Sequence, residues 1–519
     1  MLIRNGTVVD GTGARPARVD VLIEDDRITA VAPTLKASAA RVIEAGGLVV
    51  APGFIDAHSH SDANALIDPA AEGRVRDGVA TEINGTCGWT IFPLTGREAE
   101  SKRKSLRRLG IDARWTDAAG YFEAVEAAGS TVNRGFLLGQ GAVRAAVMGY
   151  DHRPAGRGQL RAMRRLVAQS IEQGALGLSS GLCYPPGSFA GPAEMAELCR
   201  EMTASGRPYC THMRSEGRAL MASVREALAA TGGAGVPLHI SHIKTFGRAH
   251  WWKIAPLERT LAAARAAGRD ITADRYPYTA AMTDLETIFP DRLLAGGKDK
   301  ALARLTNPRS REVFRRAAVR GRRLLWDQIM ISVASEPARE FQGMTVARVA
   351  EKMGLAPFDA AVELLIATRF HVTAIFFDMS EENLTRILRW PFVCIGSDSA
   401  ARSFSGPTAK GCPHPRTFGS CARFLGEYVL ARKLMPLAEG IRKITSLPAG
   451  RFGLRDRGCL RAGAFADVTI FDPAQIRDAA TYADPFRPSE GVRWLIVNGR
   501  PVLEDGIVTA ARPGRVLRA

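Results

Sequence analysis

Pro52-Gly-Phe-Ile-Asp-Ala-His-Ser-His60 opens the central part of a 519-residue chain. A short apolar strand runs into two histidines spaced i and i+2, which in extended chain point to the same side. Two imidazoles side by side at a strand end make half of a metal site. An His-x-His pair alone is a weak sign, because a polar loop carries one equally well. Its weight depends on whether the rest of the chain repeats the pattern.

It does. Further apolar runs occur at Thr81–Asn84, Phe136–Leu138, Leu176–Leu178, Pro208–Thr211, Leu238–Ser241, Ile271–Asp274 and Val393–Gly396. Helix-period stretches lie between them, for instance Gly158–Gln173, Pro192–Ser205 and Pro256–Ala267. Strands separated by crossover-length helices form a parallel sheet. About eight of them predict an α/β fold, a (β/α)8 TIM-like barrel, whose reactive residues gather at the C-terminal ends of the strands.

Those ends carry ligand-type residues. Cys87 follows Thr81–Asn84, His212 follows Pro208–Thr211, His242 follows Leu238–Ser241, and Asp398 follows Val393–Gly396. With His58 and His60 they make six residues of metal-binding chemistry, each just past a short apolar run. His152, His250 and His371 read as surface or packing residues, and His239 as a core or outer-shell histidine. His414 divides evenly between loop structure and site.

The first fifty and last seventy residues are rich in short strands punctuated by glycine, with Asn498-Gly499 as a hairpin turn. Neither end can build a core alone. The expected organisation is a small β-sandwich from residues 1–51 and 441–519 around a catalytic barrel at 52–440. A helical, basic segment at 285–348 is read as an inserted lid. Lys plus Arg is 70 against 53 Asp plus Glu, a net charge of +17. The excess is spread along the chain without interleaved aromatics or a nucleic-acid-binding motif, so no nucleic-acid partner is expected. Sparse cysteines without CxxC spacing fit reduced thiols and a cytoplasmic location. No signal-peptide pattern opens the chain and no run of about 18 apolar residues occurs, so no membrane partner is expected.

Together these motifs resemble the N-acyl-D-amino-acid deacylases (D-aminoacylases) of the amidohydrolase superfamily over essentially the whole chain. They are Pro52–His60, Asn84-Gly-Thr-Cys-Gly88, Gly174–Gly187, Thr211-His-Met-Arg-Ser-Glu216, Ser241-His-Ile-Lys244, Asp274-Arg-Tyr-Pro-Tyr278 and Gly396-Ser-Asp-Ser399. The tail adds His414–Gly419, Ala466–Asp472 and Pro513–Leu517. The resemblance implies a zinc hydrolase with a distorted barrel, a sandwich from both termini and an inserted lid. It implies one tightly bound Zn2+ on Cys87, His212 and His242, and a second, weaker position at His58, His60 and Asp398. Asp398 would act as general acid/base on the water and the leaving amine.

The substrate implied is a small anionic amide, an N-acyl-D-amino acid. The resemblance points to Lys244, Tyr276 and Arg416 for its α-carboxylate; a guanidinium suits a carboxylate well. Arg214 offers an alternative role, buttressing the site through Glu216. Met282 stands where several relatives have a serine, which makes it a substrate-side residue and allows a bulkier, more apolar group. Another amide on the same fold (cyclic, dipeptide or bulky aryl) and a non-catalytic scaffold are the competing readings. A homo-oligomer is compatible with all three.

Overall fold

The computed structural model describes residues 1–37, 39–319 and 324–519; Arg320, Arg322 and Arg323 of the basic stretch lie outside the described residues. Eight parallel strands form its centre: β1 Phe54–Asp56, β2 Val79–Asn84, β3 Asn133–Phe136, β4 Leu178–Gly181, β5 Tyr209–His212, β6 Leu238–Ile240, β7 Ile271–Arg275 and β8 Val393–Ile395. Each pairs in parallel with the next, β3 reaching β4 through Leu138–Gly139. The ring closes where Ala57 N donates to Ile395 O and Ser59 bridges Ser399. Strands covered on both faces should be apolar throughout rather than alternating. All six residues of β2 are buried, as are the five of β7.

Helices pack outside, and their starts follow local chemistry. Asp117 accepts from Gly120 N to cap residues 118–128, and Ser380 accepts from Asn383 N to cap residues 381–389. The end of the barrel opposite the strand C-termini is plugged by the short helix Ser446–Phe452, whose Phe452 joins Ile55, Ile83, Leu137, Leu176 and Cys394 in one apolar cluster. The cavity among the described residues lies at the other mouth.

Charged residues also sit inside the ring. Glu82 is fully buried; its Oε1 accepts from Arg74 Nε at 2.8 Å and its Oε2 from Arg134 Nη1 at 2.5 Å. Arg74 also donates to Ser397 Oγ and the Ser399 carbonyl, tying β2 to the loop after β8. Removing one member strands the others without water. Glu82→Gln is therefore expected to cost about 3–5 kcal/mol of stability, read from denaturant midpoints; a loss below about 1 kcal/mol, typical of a surface pair, would show that the network does not hold this face together.

Both termini build two packed sheets. One has strands in the order 27–32, 20–24, 2–4, 42–44; the other runs 507–508, 500–504, 492–497, 468–471, 49–52, 7–8, 17–18. Ile3, Val21, Ile43, Val50, Val468 and Ile496 meet between them. Asn498 and Gly499 take positive φ (46° and 76°) at the hairpin the sequence marks.

The inserted unit is larger than residues 285–348 and is not only helical. A three-stranded antiparallel sheet of 281–284, 329–334 and 372–376 is covered by helices at 298–306, 308–319, 346–353 and 357–367. It has its own core, from Leu285 to Phe376. The strand at 281–284 is short and mixed in polarity, and the one at 372–376 lies beyond the basic stretch, so charge density alone underestimates the unit.

Candidate active site

All six ligand-type residues sit at the open mouth, each at or just beyond a strand's C-terminal end. Cys87 Sγ is their hub. It lies 3.3 Å from His58 Nε2, 3.7 Å from His212 Nδ1 and 3.4 Å from His242 Nε2. Asp398 Oδ1 is 3.4 Å from His58 Nε2 and 3.1 Å from His60 Nε2. Two groups of donor atoms result, Cys87–His212–His242 and His58–His60–Cys87–Asp398, each within 4.8 Å.

The backbone is bent to achieve this. Cys87, His242 and Asp398 all have positive φ (53°, 34° and 51°), a left-handed conformation that costs about 1–3 kcal/mol for a non-glycine residue. For Cys87 the means is local: its loop is clasped against β4, and a Cβ at Gly181 would overlap the Cys87 carbonyl. Bulk at that position would push the thiol out of the site.

The donor atoms suit a metal, with Cys87 giving up its thiol proton on binding. Burial, then the neighbouring His242, pulls the His212 imidazole well below its ordinary range, so its lone pair is free. Burial followed by the Asp398 charge pushes the Cys87 thiol up. Three ring nitrogens converge on the one thiol sulfur, a donor set that suits a metal ion. A tetrahedral metal with S and N bonds of about 2.0–2.3 Å separates its ligands by roughly 3.5 Å, which matches the observed spacings.

Two carboxylates aim the imidazoles. Asp274, at the end of β7, contacts His58 Nδ1 at 3.1 Å and His239 Nε2 at 2.9 Å, and accepts from His242 N. Burial opposes its charge, but His58 and His239 outweigh it and hold the carboxyl far below its usual range. Glu216 Oε1 lies 2.9 Å from His242 Nδ1 and 2.5 Å from Lys244 Nζ. Such outer partners fix ring orientation. Asp274 carries the same sequence signal as the six ligand-type residues, a ligand-type side chain closing an apolar run. His239 is the outer-shell histidine the sequence suggests.

Arg214 does not reach Glu216. It pairs with Glu226 at 2.8 Å and donates to the Ser188 and Ala190 carbonyls, so its role is to pin the β4 loop. His414 is structural: its ring accepts from Arg416 N and meets the Ala280 carbonyl.

A cavity of about 1240 Å³ lies between this cluster and the inserted unit. Lys244, Tyr276, Met282 and Arg416 all line it. Tyr276 is the meeting point: Arg416 Cζ is 4.4 Å and Lys244 Nζ 5.9 Å from its ring centroid. Its buried hydroxyl has no hydrogen-bond partner among the described residues. Arg416 Nη1 lies 2.8 Å from Asp398 Oδ2, and its Nη2 donates to the Met282 carbonyl at 3.3 Å. Met282 also packs against Ala280, Met330 and Ile375, so part of its apolar surface serves the lid.

A barrel with this constellation at its mouth defines a metal-dependent hydrolase fold, and residues 41–503 match the model of the amidohydrolase family, to which the chain belongs. Its full-length relatives include N-acyl-D-amino-acid deacylases. It is 33% identical to the D-aminoacylase of Alcaligenes xylosoxydans xylosoxydans, covering 100% of this chain and 97% of that one. It is 35% identical to the N-acyl-D-glutamate deacylase of the same organism, covering 100% and 96%. The crystal structure of the Bordetella bronchiseptica N-acyl-D-glutamate deacylase, complexed with zinc and a phosphonate mimic of the tetrahedral intermediate, superposes with a TM-score of 0.85 at 30% identity, over 100% of this chain and 99% of that one. Among the described residues no helix is long and apolar enough to cross a membrane.

Proposed function

We propose that the protein is a zinc-dependent N-acyl-D-amino-acid deacylase, with Cys87, His212 and His242 holding the tightly bound zinc and His58, His60 and Asp398 forming a weaker second position around the shared thiol. The observation that carries this is Cys87 Sγ amid three imidazole nitrogens at 3.3–3.7 Å. Zinc bound there supplies a Lewis acid and water of lowered pKa.

The remaining chemistry belongs to the chain. Asp398 takes the proton of the attacking water on its carboxylate and returns it to the departing nitrogen, so that the C–N bond breaks as the acid and the free amine form. Burial opposes the charge of its carboxylate, but Arg416, then His242 and His60, outweigh burial and hold the carboxyl well below the ordinary range, which keeps it ionised before the water binds. Lys244, Tyr276 and Arg416 orient the substrate's α-carboxylate. The unpartnered Tyr276 hydroxyl and Arg416 Nε support this, since buried polar atoms without partners are costly unless a ligand completes them. Lys244 then serves both Glu216 and the substrate.

The preference for D substrates rests on the names of the relatives. The eight cysteines, all free, support a reducing compartment, and we place the protein in the cytoplasm acting on small anionic amides. The test is a panel of N-acyl-D- and L-amino acids with the zinc content of the same sample measured. Hydrolysis of D derivatives by zinc-loaded protein is expected; no turnover of any would overturn the reading. Decarboxylated analogues should lose about 2–5 kcal/mol in kcat/KM, because the clamp is left unpaired. Equal turnover of acid and decarboxylated analogue would favour a different amide.

A further inference from the structure

Resting on the deacylase reading, we propose that Asp284 and Glu286 of the inserted unit form a pocket for a positively charged group of the substrate, an ammonium or guanidinium carried by the amino-acid side chain or by the acyl group. The strand Ala281–Asp284 is docked across the cavity from the candidate metal centre. Its Met282 carbonyl accepts from Arg416, and its Thr283 Oγ1 lies 2.8 Å from Tyr184 Oη, whose ring stands edge-on to His212 at 4.9 Å. Asp284 ends this strand and Glu286 follows two residues later, on the lid side of the cavity. Both line the cavity.

Glu286 is 8% exposed, and its Oε2 is buried with no hydrogen-bond partner among the described residues. Burial, reinforced by the Asp284 charge, pushes its carboxyl up to about 8, and burial raises Asp284 as well. Lys298 is the nearby cation. It offers one ammonium to two carboxylates, and its Nζ also donates to the Phe370 carbonyl at 3.2 Å. Three other cations of the cavity wall are paired with carboxylates elsewhere: Arg214 with Glu226, Lys244 with Glu216, Arg416 with Asp398.

The cavity thus has a cationic side around Tyr276 and an acidic side on the lid. A substrate with an α-carboxylate and a distal positive charge complements both, and supplies the donor that Glu286 lacks. A cation bound there would favour the ionised form of these raised carboxyls, whereas an acidic side chain would oppose it.

The test compares kcat/KM of zinc-loaded protein for N-acetyl-D-lysine and N-acetyl-D-arginine with that for the neutral isostere N-acetyl-D-2-aminoheptanoate. A second arm compares N-(4-aminobutyryl)-D-leucine with N-pentanoyl-D-leucine, separating a charged side chain from a charged acyl group. A preference of at least tenfold for the cationic member is expected in one arm. In the Asp284→Asn/Glu286→Gln double variant that ratio should fall to near one, with thermal midpoint and zinc content measured on the same sample. Glu286→Lys should shift preference toward N-acetyl-D-glutamate. Turnover of neutral substrates with no cationic preference in either arm, or a preference untouched by the double variant, overturns the pocket alone. Absence of turnover on every N-acyl-D-amino acid overturns the deacylase reading, and the pocket's role with it.

Discussion

Asp398→Asn is expected to leave a folded, zinc-loaded protein whose kcat falls on the order of 10²–10⁴, the usual share of a positioned general acid/base. The substitution keeps shape and one acceptor oxygen, so contacts to Arg416 Nη1 at 2.8 Å and to the His60 ring at 3.1 Å survive in part. What is lost is a group that can receive a proton. No neighbour replaces it: His58 and His60 face the candidate metal positions, and Glu216 is held by Lys244 and His242. A binding role and a proton-transfer role separate cleanly. If Asp398 only oriented the substrate through Arg416, KM would rise and kcat would stay. If it carries the proton, kcat falls while the tightly bound zinc on Cys87, His212 and His242 stays. Turnover within tenfold of the parent enzyme, at full zinc, would remove Asp398 from the proton pathway.

The features legible in sequence are those with a local signature. A short apolar run ending in His, Cys or Asp can be read residue by residue, which is why β1, β2, β5, β6 and β8 and the six ligand-type residues at their ends stand out before any contact is known. Hairpin chemistry at Asn498-Gly499 is equally local. Partnerships over long separations have no such mark. Arg74 meets the Thr417 and Ser399 carbonyls across more than 300 positions, and nothing near Arg74 announces it. Arg214 illustrates the opposite error: Glu216 is two residues away, but Glu226, one helix later, offers the better geometry. The acidic pair of the lid carries no local mark, because two carboxylates in a mixed-polarity stretch show their common cavity only once the fold is formed.

Cys87→Ala tests the centre more severely than loss of any single imidazole, because Cys87 alone belongs to both donor groups. Its removal leaves His212 and His242 as a two-ligand remnant on one side and His58, His60 and Asp398 on the other. Outer-shell substitutions commonly cost about 10–100-fold in metal affinity; loss of the shared thiolate is expected to exceed about 100-fold. Zinc content after dialysis against a weak chelator should fall far below that of the parent protein, and activity should fall with it. Replacing zinc by cobalt gives a reading independent of turnover: a thiolate-to-metal absorption band is expected in the parent protein and absent in the variant. The fold should persist, since the barrel closes through β1 and β8 and the neighbouring Glu82 network makes no contact with the thiol. A variant that is folded, fully loaded with zinc and active would exclude Cys87 as a ligand. The left-handed turn at Cys87 would then lack the metal bond that justifies its strain, and the candidate centre would have to be rebuilt around His58, His60 and Asp398.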